Sequence, residues 1–108
     1  ETAEWVDNEI VIAKGEEGIV YGSVVIAQTA DILLAMQDVS ASFVIAPRAD
    51  GKIGISARSL GDINVQIVME ELGGGGHLTN AASQLETKTV AEAVEQLKSV
   101  LQEQLERG

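Results

Sequence analysis

The feature that most constrains this chain is Gly73-Gly74-Gly75-Gly76, followed directly by His77. One glycine is enough to end a helix; four carry a backbone entropy cost that needs a further reason. Without a Cβ, glycine reaches positive φ, so successive backbone N–H groups can converge on one anion. A short helical turn from His77 to Ala82 is expected after the run. Its free N–H groups and positive dipole end would add to such a grip, with His77 at the rim donating to a phosphate oxygen. The competing reading is a flexible turn that closes the preceding helix; the length of the run favours the anion site.

The rest of the chain can support a folded domain around that loop. It has 108 residues, of which 45% are hydrophobic, enough for one core and hardly for two. There is no cysteine, so neither a disulfide framework nor a thiolate metal site is possible. No apolar run reaches the length of a membrane span. The first residue is Glu1 rather than Met, which suggests a piece of a longer protein.

The net charge of −10 is unevenly spread. Residues 1–42 set Lys14 alone against Glu1, Glu4, Asp7, Glu9, Glu16, Glu17, Asp31 and Asp38, whereas residues 43–84 are nearly balanced. So acidic a domain repels duplex DNA and RNA, whose non-specific binding is electrostatic. A small anion can still be held by the balanced middle, where the main arginines and glycines lie.

Periodicity predicts an α/β domain with a mixed sheet and packed helices. Glu9 to Ala13 reads as a strand and Ser23 to Gln37 as a helix, with Val25 or Ile26, Thr29, Ile32 or Leu33, and Met36 on its apolar stripe. Ser42 to Ala46 is a buried strand ended by Pro47. Asp50-Gly51 is a turn. From Lys52 to Ser59 the chain alternates, with Ile53, Ile55 and Ala57 on one face and Gly54, Ser56 and Arg58 on the other. Asp62 or Asn64 caps a helix to Leu72 whose core face is Ile63, Ile67, Val68 and Leu72. Ser83 to Lys88 is a further strand. Thr89 and Glu92 form a capping box for a last helix with Val90, Val94, Leu97, Leu101 and Leu105 on its stripe.

Three groups of residues can carry chemistry. Gly73 to Gly76 with His77 is the first. Arg58 is the second: it sits on a polar strand face beside Ser59, and its planar guanidinium matches a phosphate. Taken alone it reads better as a surface arginine paired with Asp62 or a glutamate. Asn80 is the third, able to read a base edge or ribose hydroxyl, or merely to close a turn. Arg48 and Lys52 flank a turn and read as solvated. A two-metal hydrolase needs several Asp and His ligands, and one histidine without a carboxylate cluster does not supply them. No metal site and no catalytic residue are therefore expected in this chain.

The segment ISARSLGDINVQIVMEELGGGGHLTNAASQL, from Ile55 to Leu85, resembles the DHH-associated domain of DHH-family phosphoesterases. The resemblance rests on Arg58-Ser59, a helix, Gly73 to His77, and then Ala81 and Ala82, in that order and spacing. ASFVIAPRADGKIGISARS and AQTADILLAM extend it, and the subgroup that looks most similar is the membrane-anchored cyclic-di-AMP phosphodiesterases. Residues 9–105 are covered, so 1–108 is expected to be one DHH-associated substrate-binding domain.

The resemblance implies a division of labour. A DHH domain of the same chain, outside this sequence, would hold two Mn2+ ions and the activated water. Arg58, Ser59, Gly73, Gly74, Gly75, Gly76, His77 and Asn80 would bind phosphate and nucleotide, and none would ligate metal. The ligand would be a cyclic dinucleotide or a short linear nucleotide. The parent would hydrolyse cyclic-di-AMP to the linear dinucleotide in signalling, at the cytoplasmic face of a bacterial membrane; a homodimer of the parent is compatible with this. The fragment alone would be soluble and inactive. Other readings are the substrate domain of an oligoribonuclease, RecJ-like nuclease or 3′-phosphonucleotide phosphatase, an RNA-binding module like that of alanyl-tRNA synthetase, and a purely structural domain.

Overall fold

The computed structural model describes residues 2–87 and 89–107. Six strands form one sheet in the order β1-β2-β3-β4-β6-β5. They are β1 Thr2–Val6, β2 Ile10–Lys14, β3 Ala41–Pro47, β4 Ile53–Ser59, β5 Gly75–His77 and β6 Asn80–Leu85. The helices are α1 Ser23–Leu34, α2 Val65–Glu71 and α3 Val90–Arg107. All neighbouring strands are antiparallel except β2 and β3. A parallel pair needs a long crossover, and α1 lies in that connection.

Alternation along the strands divides the core in two. Ile10, Ile12, Phe43, Ile45, Ile55, Ala57 and Ala81 pack with Val65, Val68 and Met69 of α2 and Val94, Leu97 and Leu101 of α3. On the other face Ala13, Val44 and Ala46 pack with Ile26 and Ala30 of α1. β3 is buried on both faces, which is why its sequence reads as an unbroken apolar run.

α1 uses a narrower stripe than its sequence suggests. Ile26 and Ala30 are buried and Leu33 packs against them, one face at i, i+4, i+7. Val25, Ile32 and Met36 are exposed. The helix lies close to the sheet because Ala30 is small, and the buried Ser42 Oγ donates to the Ala30 carbonyl at 2.7 Å. It stops at Leu34, short of the expected Gln37.

The other helices start where expected. Asn64 caps α2, its side chain accepting from the Ile67 N–H at 3.2 Å, but Ile67 itself is exposed and Met69 takes its place in the core. The Thr89–Glu92 capping box is present, with Thr89 N–H donating to Glu92 Oε1 and Glu92 N–H to Thr89 Oγ1, each at 3.1 Å. Glu17 adds a second anchor from a distant loop: its carboxylate accepts from the N–H groups of Val90 at 2.8 Å and Ala91 at 3.1 Å. An anion suits that positive helix end.

Two elements correct the expectations. β1 is an added edge strand, joined to β2 through Asp7 and Asn8 at φ 56 and 67. Thr2 to Trp5 are exposed and only Val6 packs against the core, so periodicity carried no signal. Residues 77–82 are not a helical turn: β5 and β6 form a hairpin in which His77 pairs with Asn80. β6 therefore begins before the expected Ser83, and the expected end at Lys88 lies outside the described residues.

Candidate functional site

The hairpin brings three distant residues into one row. β4 and β6 pair Arg58 with Asn80, and β5 and β6 pair Asn80 with His77. Directly paired residues of antiparallel strands share a face. That face is the α1 side of the sheet, because the alternate residues Ala57, Ala81 and Ser83 are buried toward α2. The next row is Ser56, Ala82 and Gly75, and beyond it Gly54 pairs with Gln84. α1 packs over β3 and β4, leaving Asn80, Ala82, Gln84 and His77 exposed. The result is a polar floor with a flat middle, since Ala82 and Gly75 hardly rise above the backbone. A hollow of about 290 Å³ between α1 and this floor is lined by Ser23, Ile26, Arg48, Ser56, Ala82 and Gln84, among others.

The four glycines do three different things. Gly73, at φ 85, ends α2. Its N–H donates to the Glu70 carbonyl at 3.1 Å, and that of Gly74 to the Met69 carbonyl at 2.8 Å, which is the Schellman pattern. Gly74 then passes so close to β6 that a Cβ would lie 2.7 Å from Cα and Cβ of Ser83. Gly76, at φ 146, crowds Ala81 in the same way. Only Gly75 has open space where a side chain would stand without needing positive φ. The expected nest of converging N–H groups is therefore not formed. The Gly73 and Gly74 amides serve the end of α2, and no helix begins at His77 to add its dipole.

Ser59 also changes role. It is buried, and its Oγ donates to the Ile63 carbonyl at 2.7 Å, with the Leu78 carbonyl at 3.3 Å, and accepts from Gly61 N–H at 3.2 Å. Its own N–H donates to the Thr79 carbonyl at 3.0 Å. Ser59 ties the end of β4 to the β5–β6 turn, which holds His77 and Asn80 beside Arg58. It faces the protein rather than a ligand.

Arg58 reaches across to α1. Its Nε donates to Asp31 Oδ1 at 2.8 Å, and NH1 donates to its neighbour Ala57's carbonyl at 3.0 Å. Neither Asp62 nor a glutamate is the partner. Arg48 is not simply solvated either. It bonds Asp50 through Nε and NH2 at 3.3 and 3.1 Å and leans over Gly54 at the rim of the hollow. The Arg48 side chain, then the Lys52 N–H, hold the Asp50 carboxyl below its usual range. Gln84 and Asp31 were missed in the sequence. Alternation through Asn80, Ala82 and Gln84 would have found the first; nothing local marks the second.

A larger groove of about 620 Å³ lies at the opposite edge, against β1 and α3. Glu4, Asp7 and Glu106 line it, and its Lys98 is already bonded to Glu4 at 3.1 Å. Such a lining repels anions. Among the described residues no group of three or more His, Cys, Asp or Glu side chains is placed to hold a metal ion. Nor, among the described residues, is any helix long and apolar enough to cross a membrane.

The model of the DHHA1 domain matches residues 8–106. The chain belongs to the DHHA1 domain family. This DHHA1 domain is 59% identical over 102 residues to the cyclic-di-AMP phosphodiesterase GdpP of Geobacillus thermodenitrificans, covering 94% of this chain and 16% of that protein. It is 55% identical over 101 residues to the cyclic-di-AMP phosphodiesterase PdeA of Listeria monocytogenes, covering 94% of this chain and 15% of that one. The chain thus spans about one sixth of the length of these curated relatives. Its fold matches that of an exopolyphosphatase-related protein from Bacteroides fragilis with a TM-score of 0.77 at 21% identity, covering 94% of this chain and 31% of the other. The DHHA1 fold is what brings Arg58, Asn80 and His77 into one row of the sheet.

Proposed function

We propose that this DHHA1 domain grips the nucleotide in a phosphodiesterase that opens cyclic-di-AMP to the linear dinucleotide. The observation that carries the reading is the Arg58–Asn80–His77 row on an open floor. Arg58 offers a planar fork to a phosphate. Asn80 offers an amide that can both donate and accept, suited to a ribose or base edge, and His77 can donate to a phosphate oxygen. The flat surface made by Ala82 and Gly75 has room for a ribose or base. Identity above half to two cyclic-di-AMP phosphodiesterases supports the substrate class.

The chemistry belongs elsewhere in this reading. Among the described residues no group of three or more His, Cys, Asp or Glu is placed to hold a metal ion, and this reading assigns the Mn2+ ions and the activated water to a DHH domain of the parent protein. Membrane anchoring and a signalling role of the parent are part of the same proposal. An RNA-binding role is disfavoured by the −10 net charge, because polyanion binding depends on counterion release from many phosphates.

Equilibrium titration of this chain with 5′-phosphorylated diadenylate (pApA) and, separately, with tRNA tests the assignment. The expected result is saturable pApA binding with Kd on the order of 1 mM or tighter and no tRNA binding at physiological salt. Salt-sensitive tRNA binding without pApA binding would reverse the assignment.

A further inference from the structure

We propose that Asp31 is a positioning residue that sets the Arg58 guanidinium for a phosphate. The inference rests on the reading of Arg58 as the phosphate contact and adds the group that aims it. Asp31 lies in the last turn of α1, where the dipole disfavours an acid and no basic residue offsets it. Its side chain is 63% exposed, yet it accepts a hydrogen bond from Arg58 Nε at 2.8 Å, from 27 residues away in sequence. Arg58 is only 12% exposed.

The two bonds that Arg58 makes are divided usefully. Asp31 accepts from Nε through one oxygen, and the Ala57 carbonyl accepts from NH1. The guanidinium plane is thereby fixed from two directions. The NH2 group has no hydrogen-bond partner among the described residues, so its donors remain for a ligand on the floor shared with Asn80. A guanidinium held this way has less rotamer freedom to lose when an anion arrives. Ion pairs with an exposed partner contribute little to stability, so replacing Asp31 leaves the fold intact and the role can be read separately.

The sign of the effect decides between positioning and simple neutralisation. Asp31 also brings a negative charge near the incoming phosphate. If neutralising Arg58 were its main effect, Asp31→Asn would tighten anion binding. If it positions Arg58, Asp31→Asn weakens binding although it removes a repulsive charge.

The test is an NMR titration of this chain with pApA for wild type, Asp31→Asn, Asp31→Glu, Arg58→Ala and the double variant Asp31→Asn/Arg58→Ala. Expected is a five- to tenfold weaker Kd for Asp31→Asn, roughly the freedom of one immobilised long side chain. Asp31→Glu is expected to recover part of the loss, and Asp31→Asn to have no further effect once Arg58 is alanine. The Arg58 Nε–Hε resonance is expected to move upfield or broaden in free Asp31→Asn while the backbone spectrum stays in place. Equal or tighter binding by Asp31→Asn overturns the positioning role. A wild type that shows no pApA response defeats the nucleotide-grip reading itself, and the inference with it.

Discussion

Gly74→Ala is expected to lower the free energy of unfolding by about 3 kcal/mol, the upper end for an overpacked site. The added methyl would overlap the Ala82 carbonyl oxygen and approach Cα and Cβ of Ser83 to 2.7 Å. These neighbours are mostly backbone, not the yielding tip of a long side chain. They are also held from behind, since Ser83 Oγ donates to the Leu72 carbonyl at 2.7 Å. Relief requires β6 to move from α2, which would disturb the buried contacts of Ala81 and Leu85. Gly75→Ala is the control. Its methyl enters open space, so its effect on stability should stay within about 0.5 kcal/mol. Urea unfolding of both variants checks the contrast; equal losses would show that the loop does not pack as described.

Arg58→Ala is expected to reduce kcat/KM of the parent phosphodiesterase on cyclic-di-AMP by about a hundredfold, near 2.7 kcal/mol of lost transition-state binding. A charge-assisted hydrogen bond of this kind is about twice as strong as a neutral one, and a bidentate guanidinium contact makes two of them. Arg58→Lys should recover only part of the loss, because an ammonium cannot reproduce the planar fork or bond Asp31 and the Ala57 carbonyl while facing a ligand. Steady-state hydrolysis by the three proteins measures it. Full activity of Arg58→Ala would leave the polar floor without a role in the reaction.

Much of this architecture was legible because the local signals agreed. The alternation Ile53 to Ser59 placed Arg58 on the polar face, and Thr89 with Glu92 announced α3 through a hydrogen-bond pattern confined to four residues. The hairpin at residues 75–85 was misread because its first strand is Gly75-Gly76-His77, almost without side chains to show a period. Its two-residue turn, Leu78-Thr79, has no glycine or asparagine and lacks positive φ, so the usual hairpin signature is missing. The resemblance, through the Arg58-Ser59 pair, implies a ligand role for Ser59; adjacent strand residues face opposite ways, and Ser59 is turned inward. Asp31 and Glu17 act across 27 and 73 residues respectively. Pairings of that span arise from the fold and leave no local pattern.

The central claim is that the open floor of β4, β6 and β5 receives the nucleotide. Mapping amide and side-chain NMR shifts of this chain across a pApA titration tests it most directly. The expected result is a response confined to Arg58, Gly75, His77, Asn80 and Ala82, with the groove around Trp5 and Leu105 unchanged. A response centred on Trp5 and Leu105, with the Arg58–Asn80–His77 row still, would contradict the account.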